Sequence, residues 1–209
     1  MTQEGNRLLN KKKKYHHGDL KEHLLEAVRQ LVEERGPDGF SVAEACRLAG
    51  VSTAAPYKHF KDRQDILRGV VLAGMQRMEH AMQTAADSFD AGDPRRVVAL
   101  GKSYTQFAQS EPGVFMLMFG LTSGHSNDGE MIEEGKAKLA IVRRVVAEHL
   151  CQDPDSPEVG ARAYALWCAV HGHSFLRLDN KAKNTNVQID EDVYLQLVGN
   201  AYLPPRADE

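Results

Sequence analysis

Residues 41–60, SVAEACRLAGVSTAAPYKHF, decide how the rest of the chain is read. Ser41 stands three residues before Glu44, the capping-box spacing that satisfies two orphan N–H groups at a helix start. Val42, Ala45, Cys46 and Ala49 recur at helical spacing, so one face of small side chains packs closely. Gly50 follows, where a helix ends because only glycine enters the left-handed region without a steric cost. Val51 is apolar, and Ser52 or Thr53 then caps a second short helix running to Phe60. Two short helices about a tight glycine turn make a helix-turn-helix, whose second helix lies in a DNA major groove. An ordinary helical hairpin is the alternative.

The second helix carries the chemistry. Thr53 can hydrogen-bond a base edge or touch a thymine methyl, and the small Ala54 and Ala55 let the backbone approach. Tyr57, Lys58 and His59 offer a hydroxyl, a fixed positive charge and a titratable donor, which suits phosphate oxygens. The helix N-terminus adds partial positive charge. With Thr53 as cap, Pro56 falls in the first turn, where its missing N–H would be unpaired anyway. Phe60 packs inward.

This run resembles the N-terminal DNA-binding domain of the TetR family of bacterial transcriptional regulators, over about residues 16–68. Gly36, Phe40, Ser41, Val42, Ala49-Gly50-Val51-Ser52, Tyr57, His59, Phe60, Asp62, Ile66 and Leu67 sit at matching places. Ala54 stands where a glycine is frequent, and Arg63 where a lysine is common, which keeps the charge. The resemblance implies an all-α chain of about nine helices, and Ser41, Ser52, Thr53, Ala54, Ala55, Tyr57, Lys58, His59 and Arg63 as the DNA-contacting set.

Composition fits that reading. A chain of 209 residues can bury a large core as one domain or two small ones. It has no run of 18 apolar residues and no apolar signal segment, so a cytoplasmic protein without membrane association is expected. Cys46, Cys151 and Cys168 are an odd count without paired spacing, read as buried structural thiols. Residues 1–70 hold 13 Lys and Arg against 10 Asp and Glu, and the remainder 13 against 19. A basic front on an acidic body suits a protein that touches nucleic acid with one end.

Along the chain, residues 1–15 read as a disordered basic arm, 16–62 as the DNA-binding domain and 63–209 as a ligand-binding and dimerisation domain. Asp19 caps the first helix, with Leu20, Leu24, Ala27, Val28, Leu31 and Val32 as its buried stripe. Asp62 caps a long helix to about Asp87 that links the two domains. Further helices run from Pro94 to about Ser110, through 114–119, and to about Leu150 after a polar loop at 121–130. Glu133, Glu134, Lys136, Lys138, Arg143 and Arg144 face water on the last of these. Ser156-Pro157 and, after a polar loop at 179–188, Asp190 start two final helices with apolar residues around most of their circumference. Such helices are central or lie in an interface, and a four-helix homodimer contact is expected.

Trp167, His171 and Gly172 resemble the WHG-type C-terminal domain of one TetR subgroup, which also uses the Ala-Ala-Pro-Tyr recognition segment. His171 and His173 diverge by about 200° on a helix, so they are unsuited to one metal ion. Methionine and aromatic clusters fill irregular spaces and adapt to varied small molecules. Met75, Met78, Tyr104, Phe107, Phe115, Met118, Phe119, Trp167 and His171 are therefore the expected ligand-binding residues, with plain core as the other reading. The chain has no Gly-rich phosphate loop, Gly-x-Ser-x-Gly or HExxH, so neither an enzyme nor a cofactor is expected. The resemblance implies a homodimeric repressor released from a palindromic operator on double-stranded DNA by a small apolar or amphipathic effector. Control by a protein partner, or no effector at all, is the alternative.

Overall fold

Helix α1 (His17–Arg35) buries Leu24, Ala27, Val28, Leu31 and Val32, the stripe that the 3.6-residue period requires. The computed structural model, which describes residues 17–120, 128–179 and 189–205, is helical from His17, so Asp19 lies inside the helix rather than capping it. The expected basic arm and most of the two expected polar loops lie outside the described residues. Gly36 closes α1 at φ +78°, donating its N–H to Val32 O at 2.8 Å. In α2 (Val42–Leu48) the Ser41 hydroxyl accepts from the Glu44 N–H at 3.2 Å. Only half of the expected capping box closes: the Glu44 carboxylate accepts instead from Arg35, 2.8 Å away, and ties α1 to α2.

The largest departure from expectation follows Gly50, which turns the chain at φ +69°. The α-helix expected from Ser52 or Thr53 to Phe60 is a turn leading into a three-residue 3₁₀ helix, Pro56–Lys58, with no side-chain cap at its start. Pro56 has no N–H to give the Ser52 carbonyl an α-type bond. That carbonyl accepts from Ala55 at 3.0 Å instead, and the tighter winding results. Pro56 O then accepts from both His59 and Phe60 at 2.9 Å.

Helix α3 (Arg63–Ala86) is capped by Asp62, whose carboxylate accepts from the Asp65 N–H at 2.9 Å. At 1.5 Å per residue it spans about 36 Å. It packs its first turns on α1 and the rest among α4 (Arg95–Ser110), α5 (Pro112–Phe119) and α6 (Gly129–Leu150). Helices α7 (Pro157–Leu178) and α8 (Glu191–Tyr202) complete the body, capped by Ser156 and Asp190 as the sequence suggests. The described part of the chain is all-α: an N-terminal helix-turn-helix unit followed by a larger helical body. Val114, Phe115, Met78, Val145, Val146 and Val159 form the fully buried centre of that body. Gly74 lets α3 and α5 touch, since a Cβ there would fall 2.5 Å from Val114 Cγ1.

Two cysteines correct the expectation of buried thiols. Cys46 is buried in α2, but Cys151 and Cys168 are exposed, Cys151 in the left-handed position that ends α6. No described helix is long and apolar enough to cross a membrane.

Candidate nucleic-acid interface and internal cavity

At the N-terminal end, Pro56 and Phe60 are buried while Ser52, Thr53, Ala54, Tyr57, Lys58 and His59 are exposed, Tyr57 to 60%. The alternation arises because Phe60 anchors the segment against α1, under the Lys21 ammonium at 5.8 Å, and close to Gly69. A rigid apolar underside thus presents one polar edge. Ala55 is half-buried beneath it. Ser41 and Arg63 serve the fold as well. The Ser41 hydroxyl caps α2, and the Arg63 guanidinium donates to Pro37 O and lies 4.6 Å from the centre of the Phe40 ring.

In the body, α3, α4, α5, α6 and α7 line a cavity of about 720 Å³ that is partly open to solvent at the α6 rim. Of the expected ligand-binding residues, Met75, Met78, Tyr104, Met118, Phe119 and Trp167 line it. Phe107 and Phe115 are instead buried core, Phe115 completely. His171 stands behind the wall: its Nδ1 lies 2.7 Å from the Tyr104 hydroxyl, and the Phe119, Phe175 and Trp167 rings surround it at 4.6, 4.8 and 5.7 Å. Burial pushes the His171 imidazole below its ordinary pKa and the Tyr104 phenol above its own, so both are neutral at pH 7. His173 points elsewhere, stacked on Tyr194 at 4.3 Å with Nε2 unpaired.

Sequence reasoning missed the α6 wall, which supplies Met131, Ile132, Leu139 and Val142 together with Lys136 and Lys138. Lys138, expected to face water, is 8% exposed. Its long stem lies along apolar surface while the ammonium donates to the Glu134 carbonyl at 2.7 Å and carboxylate at 3.1 Å, with Glu79 at 3.7 Å. The Glu134–Lys138 i,i+4 spacing is equally that of a surface pair, so nothing local signalled the burial.

Two contacts join the cavity walls to the helix-turn-helix unit. The Glu33 carboxylate of α1 accepts from the Gly113 and Val114 N–H groups at 2.8 and 2.9 Å, where the positive end of α5 favours an anion. A Cβ on Gly113 would fall 2.7 Å from Val32 O, so only glycine allows this approach. Arg68 of α3 reaches the start of α6, pairing with Asp128 and, at 2.7 Å, with Glu130. That guanidinium, helped by the first N–H groups of α6, holds the Asp128 carboxyl down at about 2.

A third surface covers α7 and α8. Tyr164, Leu176, Val193 and Leu197 are 51–67% exposed, and from Val193 to Pro205 the sequence holds no charged residue. Gly160 and Gly172 leave open space on the same i,i+4 ridge of α7 as Tyr164 and Cys168.

Family comparison matches residues 24–70 to "Bacterial regulatory proteins, tetR family" and residues 97–198 to "Tetracyclin repressor-like, C-terminal domain". No curated protein sequence matches significantly. Among solved structures, a protein of unknown function from Rhodococcus sp. RHA1 is 26% identical, with a TM-score of 0.76 over 94% of this chain and 100% of that one. The transcriptional regulator FadR from Bacillus subtilis, solved with stearoyl-CoA, is 13% identical with a TM-score of 0.68 over 88% and 97%. The TetR family regulator PfmR from Thermus thermophilus is 16% identical, with a TM-score of 0.61 over 86% and 96%. The last two likenesses carry the fold alone.

Proposed function

The chain belongs to the TetR family of bacterial regulatory proteins, DNA-binding regulators rather than enzymes, and from that premise we propose a homodimeric repressor that a small lipophilic effector releases from a palindromic operator. The observation that carries this reading is the pair of bridges, Glu33 to α5 and Arg68 to α6, between an exposed polar edge and walls of an internal cavity. Thr53, with Ala54 and Ala55, reads base edges; Ser52, Tyr57, Lys58 and His59 hold phosphates, with Ser41 and Arg63 supporting them. Met75, Met78, Tyr104, Met118, Phe119 and Trp167 touch the effector directly, while Phe107, Phe115 and His171 support that wall from behind.

A molecule filling the cavity separates α5 from α6 and draws on both bridges. Because α1 and α3 are the legs of the DNA-facing unit, the two recognition edges of a dimer then no longer meet half-sites about one helical turn apart. Releasing DNA 100-fold requires about 2.7 kcal/mol of differential affinity between the two conformers. The α7–α8 face, uncharged from Val193 to Pro205, pairs with its copy and sets the distance between edges.

A gel shift on the DNA upstream of the protein's own gene, with and without compounds that raise its melting temperature, tests the reading. Retention on DNA at low ionic strength, and release by the stabilising compounds, is expected. Failure to bind any duplex ends it. Sedimentation of Leu197→Glu should give monomers, and an intact dimer would exclude the α7–α8 contact.

A further inference from the structure

The FadR neighbour was solved with an acyl-coenzyme A, a heavily anionic molecule, yet the charges around this cavity do not suit one. Two cations line it, Lys136 and Lys138. Lys138 is already held by the Glu134 carboxylate and carbonyl and by Glu79. Lys136, at the exposed rim, sits 2.7 Å from Glu133. No carboxylate stands among the lining residues, and every other one is apolar, aromatic or glycine. Away from that solvent-exposed rim, the described wall therefore has neither an unpaired cation for a buried anion nor a carboxylate for a buried cation. A buried charge without a partner is strongly disfavoured.

What the wall does offer is uncharged polarity at one place. Tyr104 carries a hydroxyl in a wall that includes five methionines, and the Trp167 indole N–H beside it is directed at that hydroxyl. The Tyr104 hydroxyl already shares one hydrogen bond with His171 Nδ1. With the Trp167 N–H occupying one acceptor position, a phenol that donates to His171 keeps its second lone pair, and one that accepts from His171 keeps its proton. A ligand hydroxyl, both donor and acceptor, satisfies either arrangement. Resting on the reading of this cavity as the effector site, we infer that it selects an uncharged lipophile bearing a hydroxyl, against carboxylates, acyl-coenzyme A thioesters and lipophilic cations of equal chain length.

The test uses the full chain and a matched series, dodecanol, laurate, lauroyl-coenzyme A and dodecyltrimethylammonium, each below its micellar concentration. Binding is read from the fluorescence of Trp167, the one tryptophan in the sequence, and by displacement of the neutral dye N-phenyl-1-naphthylamine. Dodecanol should bind about tenfold or more tightly than each charged member, as an unpaired buried charge dictates. Tyr104→Phe should weaken dodecanol several-fold more than it weakens the dye, and equal losses would overturn the preference for a hydroxyl. A charged member that equals or beats dodecanol overturns the inference but leaves the effector site standing. If neither the dye nor any member binds, the effector site itself fails and the inference with it.

Discussion

The DNA-facing end and the body solve opposite packing problems. In the first, a short segment is clamped from below by Pro56 and Phe60 so that its polar residues stand out in a fixed row. In the second, five helices hold apolar side chains around a space of about 720 Å³ that they do not fill. A close-packed interior is the rule, and a void forfeits dispersion contacts on its lining. The difference teaches what each arrangement suits: a fixed row of exposed polar groups needs rigidity beneath it, while space able to adapt to a guest needs slack bounded by rigid packing. Phe115 marks that boundary, fully buried and in ring contact with Tyr104 and Phe119 of the cavity wall.

The sharpest way to break this contrast is Phe115→Ala. It should destabilise the fold by about 3–5 kcal/mol, the cost of a large cavity in packed core. Met118→Ala, on the slack side of the wall, should cost well under half of that in the same denaturant titration. Equal losses would mean that the cavity collapses in solution and that the two regions are packed alike.

On the DNA side, Thr53→Ala should cost about 1–3 kcal/mol on the best operator and alter sequence preference. Lys58→Ala should instead weaken all duplexes alike and reduce the salt slope by about 1. A uniform loss from Thr53→Ala would assign that residue to the backbone.

The bridges between the regions give smaller effects. Glu33→Gln keeps one acceptor but loses the charge at the α5 N-terminus, so stability should fall by about 1 kcal/mol. The diagnostic readout is the effector concentration needed to release DNA, which should rise although each ligand binds alone much as before. An unaltered release curve would remove Glu33 from the coupling.

The smallest effect concerns pH. Arg68 holds Asp128 at about 2 in the folded chain, below the ordinary value of about 3.9. The stabilisation is thus full above about pH 4 and is lost as pH falls through about 2. Asp128→Asn preserves the cap and removes the charge, so it should cost about 0.2–1 kcal/mol at pH 7. It should also flatten the acid side of the stability curve between about pH 4 and pH 2. A slope identical to that of the unaltered chain would show that the pair does not contribute.

The sequence by itself determined the elements and the character of the DNA-facing end. Ser41, Gly50, Asp62, Ser156 and Asp190 punctuate helices by local backbone chemistry, and that chemistry acts within a few residues of chain. The row from Ser52 to His59 was legible for the same reason, although Pro56 made it a 3₁₀ turn instead of an α-helix. Only the tertiary structure decided which methionines and aromatics border empty space and which fill the core, because Met118 and Phe115 are alike in apolar character and differ in what stands opposite them. It also decided that Lys138 turns inward, and that Glu33 meets α5 some eighty residues along the chain. Such contacts depend on helices brought together from distant parts of the sequence, where hydrophobic periodicity tells which face is buried but not against what.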